Sequence, residues 1–170
     1  MNRWLLVAVT LAYSAPLVAQ QDEAGPMQKL ARMIGTWEGE WTMTRGPGEP
    51  QRGRITETVQ SRQDGKVLLI EGQGRSDEPG GRLIHDALGI IHHDARTGQF
   101  LIRAYREGQA VDSELAVEED GLEWGFDDPR AGRVRYRVTF SVDAWHETGE
   151  FSRDGATWTR FMEMTLARVR

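Results

Sequence analysis

Arg133-Val134-Arg135-Tyr136-Arg137-Val138-Thr139-Phe140-Ser141-Val142 alternates polar and apolar side chains without a break. Successive side chains of a β-strand point to opposite faces, so this stretch reads as a strand with Val134, Tyr136, Val138, Phe140 and Val142 on a core face. Its other face carries Arg133, Arg135 and Arg137, expected on a solvated outer wall paired with Glu from neighbouring strands. Further along the chain, residues 144–152 and 157–169 continue as strands around an Asp154-Gly155 turn. Toward the N-terminus the same reading gives strands over 122–126, 111–117, 100–105, 87–92, 67–70, 54–62 and from Trp37 onward. Asp120-Gly121, Glu107-Gly108, Asp94 to Gly98 and Asp64-Gly65 supply tight turns between them. The loosest connections are 76–81, with Pro79-Gly80-Gly81, and 46–50, with Gly46-Pro47-Gly48-Glu49-Pro50.

About ten strands with hairpin-length connections and no helix between them predict an all-β chain. The expectation is a single up-and-down antiparallel β-barrel, because closure removes exposed strand edges. A two-sheet sandwich is the alternative that strand counting leaves open. Before the first strand, Pro26 at a first helical position and Met27, Leu30, Ala31 and Ile34 at three-to-four spacing predict a short helix that Gly35 stops.

The chain has 170 residues, enough for one domain, with 39% hydrophobic and 28% charged residues. Six Trp, three Tyr and five Phe spread along it exclude intrinsic disorder. A net charge of −5 with scattered Arg argues against nucleic acid as a partner. The absence of Cys excludes thiol catalysis, Cys-ligated zinc, disulfides and a lipidated Cys anchor. Residues 1–19 read as a signal peptide: Arg3, then an apolar run from Trp4 to Tyr13, then small residues ending at Ala19. The mature chain is expected to begin at Gln20 in the periplasm or the medium, with a polar lead over 20–25 and the barrel domain over 26–170. Retention as an uncleaved anchor is the alternative, although the apolar run falls short of the roughly 20 residues that span a bilayer.

Leu30-Ala31-Arg32-Met33-Ile34-Gly35-Thr36-Trp37-Glu38-Gly39 resembles the opening of calycin barrels, where a short helix runs into a Gly-x-Trp strand, as in lipocalins and nitrobindin-type haem barrels. The segment from Trp145 to Gly155, with Trp158 and Met162-Glu163-Met164, resembles a family of secreted bacterial calycin-like proteins of unknown function. The resemblance implies a lipocalin-like barrel with an internal cavity for a small hydrophobic or amphipathic ligand. Nitrobindin-type barrels carry a haem-ligating His on the last strand. Here that strand reads Trp158 to Leu166 without one, so no haem or other cofactor is expected.

Trp37, Trp41, Trp124, Trp145 and Trp158 are candidate cavity walls, since five indoles exceed what filling a small barrel requires. Trp37 beside Gly35 is also a candidate plug for one end. Glu147 shares a strand face with Trp145 and Phe151, and by parity Arg160 and Met162 share the apolar face of the last strand. An inward carboxylate needs a partner, and Arg160 is the candidate; the favoured alternative is that Glu147 and Arg160 form an ordinary half-solvated ion pair at the barrel rim. Glu57 and Glu71 raise the same question. His85 and His93 share parity but lie about 27 Å apart along an extended strand, too far to share a metal, and no metal site is expected. Gly72-Gln73-Gly74 is not a phosphate loop, because no helix follows it.

Catalysis requires an activated nucleophile or a paired acid and base, and the spacing assembles neither, so no catalytic residue is assigned. Three readings follow: a carrier of a small hydrophobic or amphipathic molecule; a filled barrel acting through its outer face or the 76–81 loop; and an isomerase or hydrolase using an inward carboxylate such as Glu147.

Overall fold

A computed structural model describes residues 25–44, 46 and 48–169. The signal peptide read over 1–19 and the polar lead, apart from Gly25, lie outside the described residues. A 3₁₀ helix, Pro26–Met33, precedes ten strands: β1 (Gly35–Met43), β2 (Gln51–Arg62), β3 (Val67–Ser76), β4 (Leu83–Asp94), β5 (Gln99–Arg106), β6 (Gln109–Val117), β7 (Gly121–Asp128), β8 (Gly132–Phe140), β9 (Ala144–Ser152) and β10 (Thr159–Arg168). Each strand pairs antiparallel with the next, and β10 returns to β1, so the sheet is a closed barrel and not a sandwich. No helix among the described residues is long and apolar enough to cross a membrane.

Alternation sets the two surfaces. On β2, Gly53, Ile55, Glu57 and Val59 are buried while Arg52, Arg54 and Ser61 are exposed. Lateral register then builds the interior in rows. Trp41 lies opposite Met164, Met164 opposite Glu147, Glu147 opposite Val138, and Val138 opposite Leu122. The Arg face of β8 is the outer wall: Arg135 pairs with Glu150 at 2.8 Å and Arg137 with Glu123 at 2.5 Å. The strand ends two residues earlier than its alternation suggests. It ends at Phe140, and Val142 is 89% exposed, because the Ser141 N–H donates to the Ala144 carbonyl and turns the chain there.

The 3₁₀ helix closes the end of the barrel where β1 begins. Leu30 and Met33 are buried against the interior. The Trp37 ring meets Phe140 and Trp145 at centroid distances of 6.3 and 5.8 Å, and its Nε1–H donates to the Met33 carbonyl at 2.8 Å. The Arg168 guanidinium lies 4.0 Å from the Trp37 ring centre and donates to the Ile34 and Arg32 carbonyls at 2.7 and 2.6 Å. One cation thus caps a ring and two carbonyls that the helix end leaves open. Gly35, at φ +135°, is in a conformation that L side chains rarely adopt, and a Cβ there would also stand 2.7 Å from an Arg168 nitrogen.

Candidate functional site

The interior is not uniformly apolar. Glu57 and Glu147, 6% and 9% exposed, project into it from β2 and β9. Burial pushes the Glu57 carboxyl up to about 8, and repulsion from Glu147 adds to the rise. Burial pushes Glu147 up to about 7, opposed by the hydrogen bond it accepts from Trp145 Nε1 at 3.1 Å. Around neutral pH, then, Glu57 is held mostly protonated and Glu147 is near its midpoint.

Glycines make the room. Gly72 on β3 lies opposite Glu57, and a Cβ there would overlap the Glu57 carboxyl oxygens. Two residues along the same face, a Cβ on Gly74 would stand 3.2 Å from Trp41 Nε1, and one on Gly53 would stand 2.8 Å from it. The Trp41 Nε1–H is buried there and has no hydrogen-bond partner among the described residues. The Gly72-Gln73-Gly74 stretch therefore serves side chains inside the barrel: the Glu57 carboxyl and the Trp41 indole fill the space its two glycines leave.

On the other side of the interior, toward the end away from the 3₁₀ helix, half-buried rings collect. Trp124 stacks on Tyr136 at 4.6 Å and stands 6.2 Å from Phe126. Phe161 meets Tyr136 at 5.9 Å and Phe151 at 6.4 Å. Met162 faces inward beside Gly149, whose missing side chain leaves space for the Phe161 and Tyr136 rings.

Seven of the candidates read from the sequence face inward: Trp37, Trp41, Glu57, Trp124, Trp145, Glu147 and Met162, with Trp37 as the plug. Three do not. Glu71 is exposed, because β3 pairs Glu71 with Thr58 and places both on the outer face. Arg160 is exposed and pairs with Glu163 at 3.1 Å, not with Glu147. A register shift between Arg160 and Met162 puts the two on opposite faces of β10, which parity counting across the shift misses. Trp158 precedes β10 and lies on the outer wall under the Arg135 guanidinium, 3.7 Å from its ring centre. Tyr136, Phe151 and Phe161 were not among the candidates. Tyr136 was readable from the β8 alternation, whereas Phe161 is turned inward by the β10 irregularity.

A cleft of about 780 Å³ lies across β5 to β8, lined by Glu114, Glu123, Arg135 and Trp158 of the outer wall and by the inward-facing Leu115, Trp124 and Phe126. Beneath it β6 and β7 share only three register pairs, Leu115 with Trp124 through Val117 with Leu122. Beyond them the Gly125 N–H is met by Ser113 Oγ at 3.3 Å in place of a backbone carbonyl.

Two solved structures are similar across most of the chain. Rv2717c from M. tuberculosis superposes with a TM-score of 0.64 at 17% identity, over 85% of this chain and 98% of that one. The S-type phycobiliprotein lyase CPES from Guillardia theta superposes with a TM-score of 0.56 at 12% identity, over 82% of this chain and 89% of that one. At such identities the likeness is one of fold, the ten-strand antiparallel barrel. No family model matches the sequence, and no curated protein matches it.

Proposed function

We propose that the barrel binds a small amphipathic molecule, whose apolar part lies against Trp124, Tyr136, Phe151, Phe161 and Met162 and whose polar part reaches Glu57, Glu147 and Trp41 Nε1. The observation that carries this reading is the pairing of half-buried rings with buried polar groups that the protein itself leaves short of partners. A barrel built only for stability would place aliphatic side chains at those positions, since an unpaired buried polar group costs about 1–3 kcal/mol. Ligand pockets combine the same two elements, apolar walls and a few placed polar groups.

Native mass spectrometry of the protein purified from its own host tests the proposal. A bound mass released on denaturation is the expected result. A clean apo mass that persists after incubation with a lipid extract would instead favour a filled barrel acting through its outer face. The reading also places the mature chain, from Gln20, in the periplasm or the medium. Cell fractionation with N-terminal sequencing checks that; a chain retaining Met1 in the cytoplasm would refute it.

A further inference from the structure

We infer that the bound molecule reaches the aromatic group through the side of the barrel, by parting β6 from β7, and that Ser113 is the latch that holds this seam shut. The inference rests on the carrier reading above and adds the route to its site.

The seam is the least paired in the wall. β6 and β7 share three register pairs, whereas every other pair of neighbouring strands shares seven to ten. Ladder bonds hold a barrel closed, so local opening starts where they are fewest. Continued past Leu115 and Trp124, the register would set Glu114 opposite Gly125 and Asp112 opposite Asp127. At the first position a hydroxyl replaces the ladder bond. Ser113 Oγ accepts from the Gly125 N–H at 3.3 Å and donates to the Glu114 carbonyl at 2.7 Å, so it stands between the two groups that a ladder bond would join. At the second position two carboxylates would meet, and like charges directly opposite each other work against pairing. Each is drawn to its other neighbour instead: Asp112 to Arg103 on β5 at 3.5 Å, and Asp127 to Arg133 on β8 at 3.9 Å.

The 780 Å³ cleft lies over this seam. It is lined at once by outward Glu114, Glu123 and Trp158 and by inward Leu115, Trp124 and Phe126, which an unbroken sheet would keep on separate faces. Trp124 and Phe126 belong to the aromatic group, so an opening here leads straight to it. Entry at the helix end is harder. There the buried Trp37 is tied to the Met33 carbonyl, and Arg168 binds the Ile34 and Arg32 carbonyls over it.

The chain has no Cys, so two introduced thiols are its only ones. Asp112→Cys with Asp127→Cys places them on exposed positions on either side of the seam, where a short bis-maleimide can join them. Stopped-flow energy transfer from Trp to 11-(dansylamino)undecanoic acid, an amphipathic probe, then reads entry and release before and after bridging. Bridging should slow both rates about tenfold or more and leave Kd within about twofold, the mark of a gate. The same reagent on Asp127→Cys with Arg133→Cys, across the fully paired β7 and β8, should change neither rate. Ser113→Ala should speed both rates about threefold. Hydrogen exchange gives a test without bridging: the amides of Asp112 and Glu114, which face the seam, should exchange faster than those of Val111 and Ser113, which face the complete ladder to β5. Unchanged rates in the bridged protein, lost affinity without slower exchange, or equal protection of the two sets of amides would overturn the inference and leave the carrier reading standing. No binding of the probe to the unbridged protein would overturn both.

Discussion

Replacing Glu57 by Gln takes one titrating group out of the interior and keeps its size and hydrogen-bonding capacity. In the folded protein the Glu57 carboxyl is raised from 4.5 to about 8, so the folded chain keeps a proton that the unfolded chain has released. Stability from this group is fully present below about pH 4.5 and is lost as pH rises through about 8. At about 1.4 kcal/mol per tenfold change in proton affinity, the rise from 4.5 to about 8 is worth about 5 kcal/mol. That is a large part of the roughly 5–15 kcal/mol that holds a typical domain together. Urea denaturation followed by Trp emission at pH 4.5, 6, 7 and 8 measures it. The wild type and Glu57→Gln should be equally stable at pH 4.5, and the variant should lead by about 5 kcal/mol above pH 8, with most of the gap opening between pH 5 and 8. Some decline should persist in the variant, because Glu147 is raised to about 7 and loses stability in the same direction. Two parallel stability curves from pH 4.5 to 8 would refute the reasoning: Glu57 would then be hydrated, and the polar site built around it would fall with it.

Three other substitutions probe the frame. Trp37→Phe loses a buried hydrogen bond to the Met33 carbonyl and should cost about 2–3 kcal/mol in urea melts, whereas Trp41→Phe removes a donor with no partner and should cost about 1 kcal/mol or less. Arg168→Ala uncovers the Trp37 ring and frees the Ile34 and Arg32 carbonyls, for an expected loss of about 2–3 kcal/mol. Arg168→Lys should recover less than half of it in the same thermal melt, since an ammonium cannot fork to two carbonyls while stacking. Gly53→Ala sets a Cβ into the backbone carbonyl of Arg75 and should lower stability by about 3 kcal/mol, against about 1 kcal/mol for Gly72→Ala, which meets only the movable end of Glu57. Equal losses for the two glycine variants would show that the Glu57 side chain is fixed.

The strands were legible because their period is local. Residues 133–140 declare one face without help from the rest of the chain, and turn pairs such as Asp64-Gly65 and Asp154-Gly155 mark where it reverses. Where that period fails, so does the assignment. Val67-Leu68-Leu69-Ile70 is apolar throughout, so nothing local says whether Glu71 or Gly72 faces inward; pairing with Thr58 decides it. In β10 the parity breaks between Arg160 and Met162 with no Gly or Pro to signal it. One unsignalled irregularity moved Arg160 out and Phe161 in. It also removed the expected partner of Glu147, and with that the view of the interior as holding a balanced ion pair.

By itself the sequence determined the ten strands, the antiparallel order and the short helix before the first strand, all products of neighbours a few residues apart. It also put Trp37 and Glu147 on the apolar faces of their strands, though burial of Glu147 rather than a place at the rim came only with the structure. Only the tertiary structure decided closure, because pairing of β1 with β10 joins the two ends of the domain, and no local pattern encodes a contact that distant. The same holds for the site. Glu57, Glu147, Trp41 and Gly72 lie on four different strands, and burial together is what raises the carboxyls and leaves the indole N–H without a partner. Side-chain chemistry is written residue by residue, but desolvation belongs to the assembled barrel.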